Sequence, residues 1–163
     1  MGDVEKLTKD TIAGGGVLAM LYFDVHAKSK ETVQELGAGF VNTLIHKKDV
    51  VFALGEIDEP IGGEDGKNFS ASIEVKILTR DFATLASICM AHSPYSVEIL
   101  RPDEIKLSLN QVHDLLGVIS ATTAEYKKFI ITKLSKPEEL LELQESLKKR
   151  ADMGKKILKK GGE

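Results

Sequence analysis

The sequence predicts an α+β protein with a ferredoxin-like core: a βαββαβ sandwich with a four-stranded antiparallel sheet, followed by two additional C-terminal helices. Three observations predict it. Between residues 17 and 107, segments of period two and period 3.6 alternate as strand, helix, strand, strand, helix, strand. The second and third strands are joined by a glycine- and acid-rich connection, and the other strands are separated by helical segments. A long amphipathic stretch begins only after Arg101-Pro102-Asp103 has closed the last strand. The chain therefore divides into an N-terminal segment with a glycine joint (1–16), the ferredoxin-like core (17–107) and a C-terminal helical extension ending in a basic tail (108–163).

Each element has a local reason. In LAMLYFDVHA (18–27), Ala19, Leu21, Phe23 and Val25 alternate with Met20, Tyr22, Asp24 and His26, so the first set faces a core and the second does not. Ser29 is placed to cap a helix in which Val33, Leu36, Gly37, Phe40, Val41, Leu44 and Ile45 recur at steps of three and four. Gly37 and Gly39 within it point to close packing of helix on sheet. VVFALGEI (50–57) is the second strand and DEPIGGEDGKN a turn-rich connection. In FSASIEVKIL (69–78), Phe69, Ala71, Ile73, Val75 and Ile77 point one way and the polar residues the other. Thr79 or Asp81 caps a short helix that buries Phe82, Leu85, Ala86 and Cys89 and ends near His92, ahead of Pro94. YSVEIL (95–100) is the fourth strand. Ser108 and Gln111 form a capping box for a helix over 109–133, striped by Val112, Leu115, Leu116, Ile119, Tyr126, Phe129 and Ile130. Ser135-Lys136-Pro137-Glu138 opens another by the same device.

Composition bounds the function. With 42% hydrophobic and 29% charged residues among 163, the chain is an ordinary globular protein, and its net charge of −3 argues against general polyanion binding. The charge is unevenly placed: residues 1–137 hold 15 basic and 19 acidic side chains, and the last 26 hold 7 and 6 in separate blocks. One cysteine, Cys89, excludes an intramolecular disulfide and sits among apolar neighbours, as a packing residue does. No apolar run reaches the roughly 18 to 20 residues of a bilayer span, and no membrane partner is expected. The expected compartment is the cytoplasm.

Gly14-Gly15-Gly16 invites a phosphate-cradle reading, but phosphate-binding glycines follow a strand and open a helix, whereas these precede the first strand. They are expected to be a joint. On the outward face of the sheet, Asp24, His26 and Glu74 are the candidates for catalysis: His26 as general base, with Asp24 or Glu74 orienting it, in a hydrolase- or metal-type enzyme. No HExxH, CxxC or second nearby histidine supports a metal site, and neither metal nor cofactor is expected. The stacking platform of RNA-recognition motifs is missing, because the third strand turns Ser70, Ser72, Glu74 and Lys76 outward. Regulatory ACT domains bind amino acids at the first strand-to-helix turn through a glycine; here that turn is His26-Ala27-Lys28-Ser29-Lys30. The acidic connection lacks the spacing of a calcium loop.

The leading expectation is a non-enzymatic binding or regulatory module acting as a homo-oligomer. His26, Lys28, Ser29 and Lys30 are its expected contacts to a small anionic ligand. Self-association follows from the long amphipathic helix and from outward apolar residues of the first two strands, which need cover from that helix or from a second copy. Lys148, Lys149, Arg150, Lys155, Lys156, Lys159 and Lys160 offer a nucleic-acid surface as a further alternative, against which stands their role in complementing the helix dipole.

Overall fold

The computed structural model of the protein describes residues 2–160, with side chains up to Lys156. It is an α+β fold with a five-stranded antiparallel sheet and five helices: α1 (Gly2–Ala13), β1 (Val17–Ala27), α2 (Lys30–Ile45), β2 (Val50–Ile57), β3 (Ile61–Gly62), β4 (Phe69–Thr79), α3 (Phe82–His92), β5 (Ser96–Arg101), α4 (Leu109–Leu134) and α5 (Pro137–Lys160). The chain forms two compact units, with the boundary between Ile119 and Ser120 falling inside α4.

The long strands lie in the order β2-β4-β1-β5, every pairing antiparallel. β1 and β4 are the central pair, in a register that sets Leu21 opposite Val75 and Tyr22 opposite Glu74. The fifth strand corrects the expectation of four. Ile61 and Gly62 pair with Ser70 and Phe69, so the turn-rich connection is itself a small hairpin. Asp65 closes it: its Oδ1 accepts from the backbone of Lys67 and Asn68, its Oδ2 from Asn68 Nδ2, and Gly66 supplies φ +62°. Those donors hold the Asp65 carboxyl below its usual range, the Lys67 amide most of all.

The core lies on the face carrying the odd-numbered residues of β1. Ala19, Leu21, Phe23, Ile73, Val75 and Ile77 pack there with Leu44 of α2 and Leu85 and Ile88 of α3. Ser29 caps α2 by accepting from the Thr32 amide, and Asp81 caps α3 by accepting from Thr84. Gly37 is buried where a Cβ would lie 2.8 Å from Ile57 Cδ1; around Gly39 there is open space, so only the first of the two allows close approach. On β5, Val97 and Ile99 share this face, opposite Leu21 and Ala19, yet remain 46% and 40% exposed.

The N-terminal segment is a helix, which the sequence pattern left unassigned. The three glycines end it. Gly15 N–H donates to Ile12 O and Gly16 N–H to Thr11 O, with Gly15 at φ +98°, the paired bonds of a Schellman motif. α1 is thereby turned back onto the sheet's other face. Glu5 Oε1 accepts from Arg101 Nη1 at 3.1 Å, and Arg101 neighbours Leu18 across the β1–β5 pairing. Leu18 and its partner Leu78 are buried on that face.

The capping box of Ser108 and Gln111 is present in both directions. At α5 the acidic half of such a box stands one residue later than expected, Glu139 Oε2 accepting from the Lys136 amide, because Pro137 takes the first helical position. α4 has no buried residue along its 26 positions. No helix among the described residues is long and apolar enough to cross a membrane.

Candidate functional site

The even-numbered residues of β1 carry Met20, Tyr22, Asp24 and His26 onto the sheet face away from α2 and α3, because successive side chains of a strand alternate. Cross-strand pairing sets Glu74 beside Tyr22, Ser72 beside Asp24 and Ser70 beside His26. His26 Nε2 lies 2.6 Å from Asp24 Oδ2, and both side chains are exposed. Glu74 does not join them. His26 pairs with Ser70, four residues along β4 from Glu74, a separation of roughly 13 Å at about 3.3 Å per residue. Glu74 instead stands opposite Glu56 on β2, lining a shallow recess of about 250 Å³ with Met20, Leu54 and Lys76. Tyr22 meets the Tyr95 ring at 6.2 Å, and Tyr95 Oη lies 3.0 Å from Ser72 Oγ. Desolvation pushes the Tyr22 phenol above its usual range, and the carboxylates of Glu98 and Glu74 push the same way. This face therefore offers one histidine-carboxylate pair and a tyrosine in an acidic setting. Among the described residues, no three His, Cys, Asp or Glu side chains gather as a metal site.

The turn from β1 to α2 places Lys28 and Lys30 on the surface, on either side of Ser29. Ser29 Oγ accepts from the Thr32 amide at 3.1 Å and lies 2.8 Å from Thr32 Oγ1, so its hydroxyl is engaged in capping. In α5, Lys148, Lys149, Arg150, Lys155 and Lys156 are all exposed; the side chains of Lys159 and Lys160 lie outside the described residues. Cys89 is half-buried, and burial pushes its thiol above the ordinary range, which leaves it protonated and a poor nucleophile near neutral pH.

The pattern of the sequence did not disclose a second cationic place. A cleft of about 380 Å³ opens between the α2–β2 turn and α3, lined by Lys47, Lys48, Asp81, Thr84, Ser87 and Ile88, among others. The register that pairs Val50 with Thr79 brings residues 47–49 beside 80–81, and Arg80 N–H donates to Asp49 O at 2.9 Å. Only Lys47-Lys48 before a predicted strand signalled it, and a dibasic turn is common on any surface. Two ammonium groups beside two hydroxyl side chains suit a small anion, whereas the Asp81 carboxylate is already used as the cap of α3.

Comparison with known proteins gave no match among curated proteins and none among solved structures. Residues 18–150, from β1 into α5, match one family model, and the chain belongs to the MJ0538 family.

Proposed function

We propose that the protein is a non-enzymatic binding or regulatory module that acts as a homo-oligomer in the cytoplasm. The carrying observation is apolar surface left bare on a single chain. α4 buries none of its residues while Leu116, Phe129 and Ile130 are each more than half exposed, and β5 leaves Val97 and Ile99 open on the face that elsewhere forms the core. Surfaces of this kind are interaction sites. The ferredoxin-like reading of the core is supported by the sheet order: with the two-residue β3 set aside, the long strands run second, third, first, fourth, the order that interleaved βαβ units produce. Analytical ultracentrifugation tests the oligomer. Sedimentation as a multiple of the chain mass is expected, and a monomer throughout the micromolar range overturns the reading.

For a small anionic ligand, the supporting feature at the predicted turn is the pair Lys28 and Lys30 at the N-terminus of α2, where backbone N–H groups also face outward. Inorganic phosphate binding, measured by calorimetry, is expected to be lost in Lys28→Ala/Lys30→Ala; unchanged binding refutes this position. The alternative enzyme reading has one observation in its favour, the 2.6 Å contact between His26 and Asp24. It requires turnover of an ester or phosphoester that His26→Ala abolishes. The nucleic-acid reading rests on the exposed bases of α5 and requires binding that weakens steeply with salt.

A further inference from the structure

The helix α5 carries a pattern of charge and size that its own dipole and its own side-chain pairs explain only in part. Residues 138–147 hold four glutamates and no base, net −4; residues 148–156 hold five bases and Asp152, net +4. The dipole accounts for acids in the first turn and bases in the last, and its influence fades within a turn. Glu142 and Glu145 lie beyond that reach, and Lys148, Lys149 and Arg150 are mid-helix. Pairing within the helix accounts for part of the pattern, Glu145 having Lys148 and Lys149 at three and four and Asp152 having Lys148, Lys149, Lys155 and Lys156, but it leaves Glu142 and Arg150 unmatched. At spacings of three and four, the charged neighbours of Glu142 are Glu138, Glu139 and Glu145 alone, which repel it, and Arg150 has no acidic neighbour at all.

The seam between the blocks is also graded. Leu140, Leu143, Leu147, Ala151 and Gly154 lie within one narrow stripe of the helix, large residues in the acidic half and small ones in the basic half. None of these residues is buried.

We propose that this face of α5 docks onto α5 of a second copy of the chain, antiparallel, with Leu147 at the two-fold axis. The inference deepens the homo-oligomer reading above and rests on it. Antiparallel docking centred on Leu147 sets Leu140 against Gly154 and Leu143 against Ala151, so large side chains meet small ones and the backbones approach closely. It also lays each acidic half along a basic half. Parallel docking does the reverse on both counts, setting leucine on leucine, glycine on glycine and glutamate on glutamate. The interface is isologous and closes at two copies.

The experiment is sedimentation equilibrium on the full chain and two variants. In one, Glu138, Glu139, Glu142 and Glu145 become Lys; in the other, Lys148, Lys149, Arg150, Lys155 and Lys156 become Glu; circular dichroism follows the helix content of each. The wild type is expected to be a dimer whose affinity falls as salt rises from about 0.05 to about 0.5 M. Each variant alone is expected to associate at least about tenfold more weakly, and an equimolar mixture of the two to recover a heterodimer. If the variants dimerise as tightly as the wild type, association uses another face: the docking fails while the oligomer reading stands. Failure of the mixture to recover a dimer overturns the pairing of acidic with basic halves on which the docking rests. A monomeric wild type overturns both, and if that monomer binds a single-stranded oligonucleotide salt-dependently, the basic half serves nucleic acid instead.

Discussion

Substituting the three N-terminal glycines one at a time separates a helix cap from a flexible joint, because the structure gives each a different environment. A Cβ on Gly16 lies 2.5 Å from Thr11 Cγ2, 2.6 Å from Thr79 O and 2.7 Å from Thr11 O. The threonine methyl can rotate away; the two carbonyl oxygens belong to backbone, and one of them accepts the Gly16 N–H at 2.9 Å. Relief requires moving the end of α1 off the β1–β4 pair. Overpacking of this kind costs about 1 to 3 kcal/mol, and losing the bond adds about 1. Gly16→Ala is therefore expected to destabilise by about 2 to 4 kcal/mol, roughly 5 to 15 °C in Tm for a chain of this size. Gly15→Ala meets no atom within 4 Å, so only its φ of +98° counts, a cost of about 1 to 2 kcal/mol. Gly14→Ala, whose nearest atom is 3.4 Å away, is expected to be neutral or to stabilise by about 0.5 kcal/mol through the unfolded chain. Urea denaturation followed by tyrosine fluorescence suits the chain, which has no tryptophan. A Gly16→Ala midpoint equal to wild type with unchanged m, or a Gly14→Ala cost exceeding it, refutes the cap. So does stabilisation of the wild type by phosphate that Gly16→Ala removes.

Leu44→Ala, at a fully buried position where α2 meets the sheet, is expected to cost about 2 to 5 kcal/mol by leaving a cavity, read from the same denaturation curves. Asp81→Ala removes the cap of α3 and is expected to cost about 1 kcal/mol, with Asp81→Asn recovering most of it. His92 gives the pH dependence. Its Nε2 is buried without a hydrogen-bond partner, its ring packs edge-on against Phe40 at 5.2 Å, and burial first, then the charge of Lys47, hold its pKa below the usual 6.5. A histidine depressed in the folded state binds its proton more readily when unfolded. Its contribution to stability is thus complete above pH 6.5 and lost as pH falls from there through the lowered value. Thermal melts between pH 7.5 and 5 are expected to show this decline, and His92→Phe to flatten it; an equal slope in the variant refutes the assignment.

Much of the fold was legible because burial is encoded locally. β1, β2, β4 and α2 stand within a residue of where periodicity put them, and Ser29, Asp81 and the Ser108–Gln111 pair cap the helices that follow them. The alternation in β1 named the inner face, and Ala19, Leu21 and Phe23 are buried there. α1 was missed because GDVEKLTKDTIA has no sustained apolar stripe; it is held by the glycine cap and by contacts such as Glu5 with Arg101, 96 residues away. β3 was missed because two residues carry no period. Of the candidate site, the sequence placed Asp24 and His26 on one face, which a spacing of two guarantees in a strand. It could not place Glu74 relative to them, since that depends on the register between β1 and β4.

The sequence by itself determined which segments are helices and strands, α1 and β3 excepted, which side of the long strands and of α2 is apolar, and how charge is divided along α5. These follow from the side-chain period of the local backbone and need no partner. Tertiary structure alone decided that α1 folds back to set Glu5 against Arg101, that Glu74 stands four residues from the partner of His26, and that Lys47 and Lys48 meet Thr84 and Ser87 across a cleft. Each is a meeting of segments distant in sequence, fixed by strand register and loop closure, and a local pattern carries no record of either.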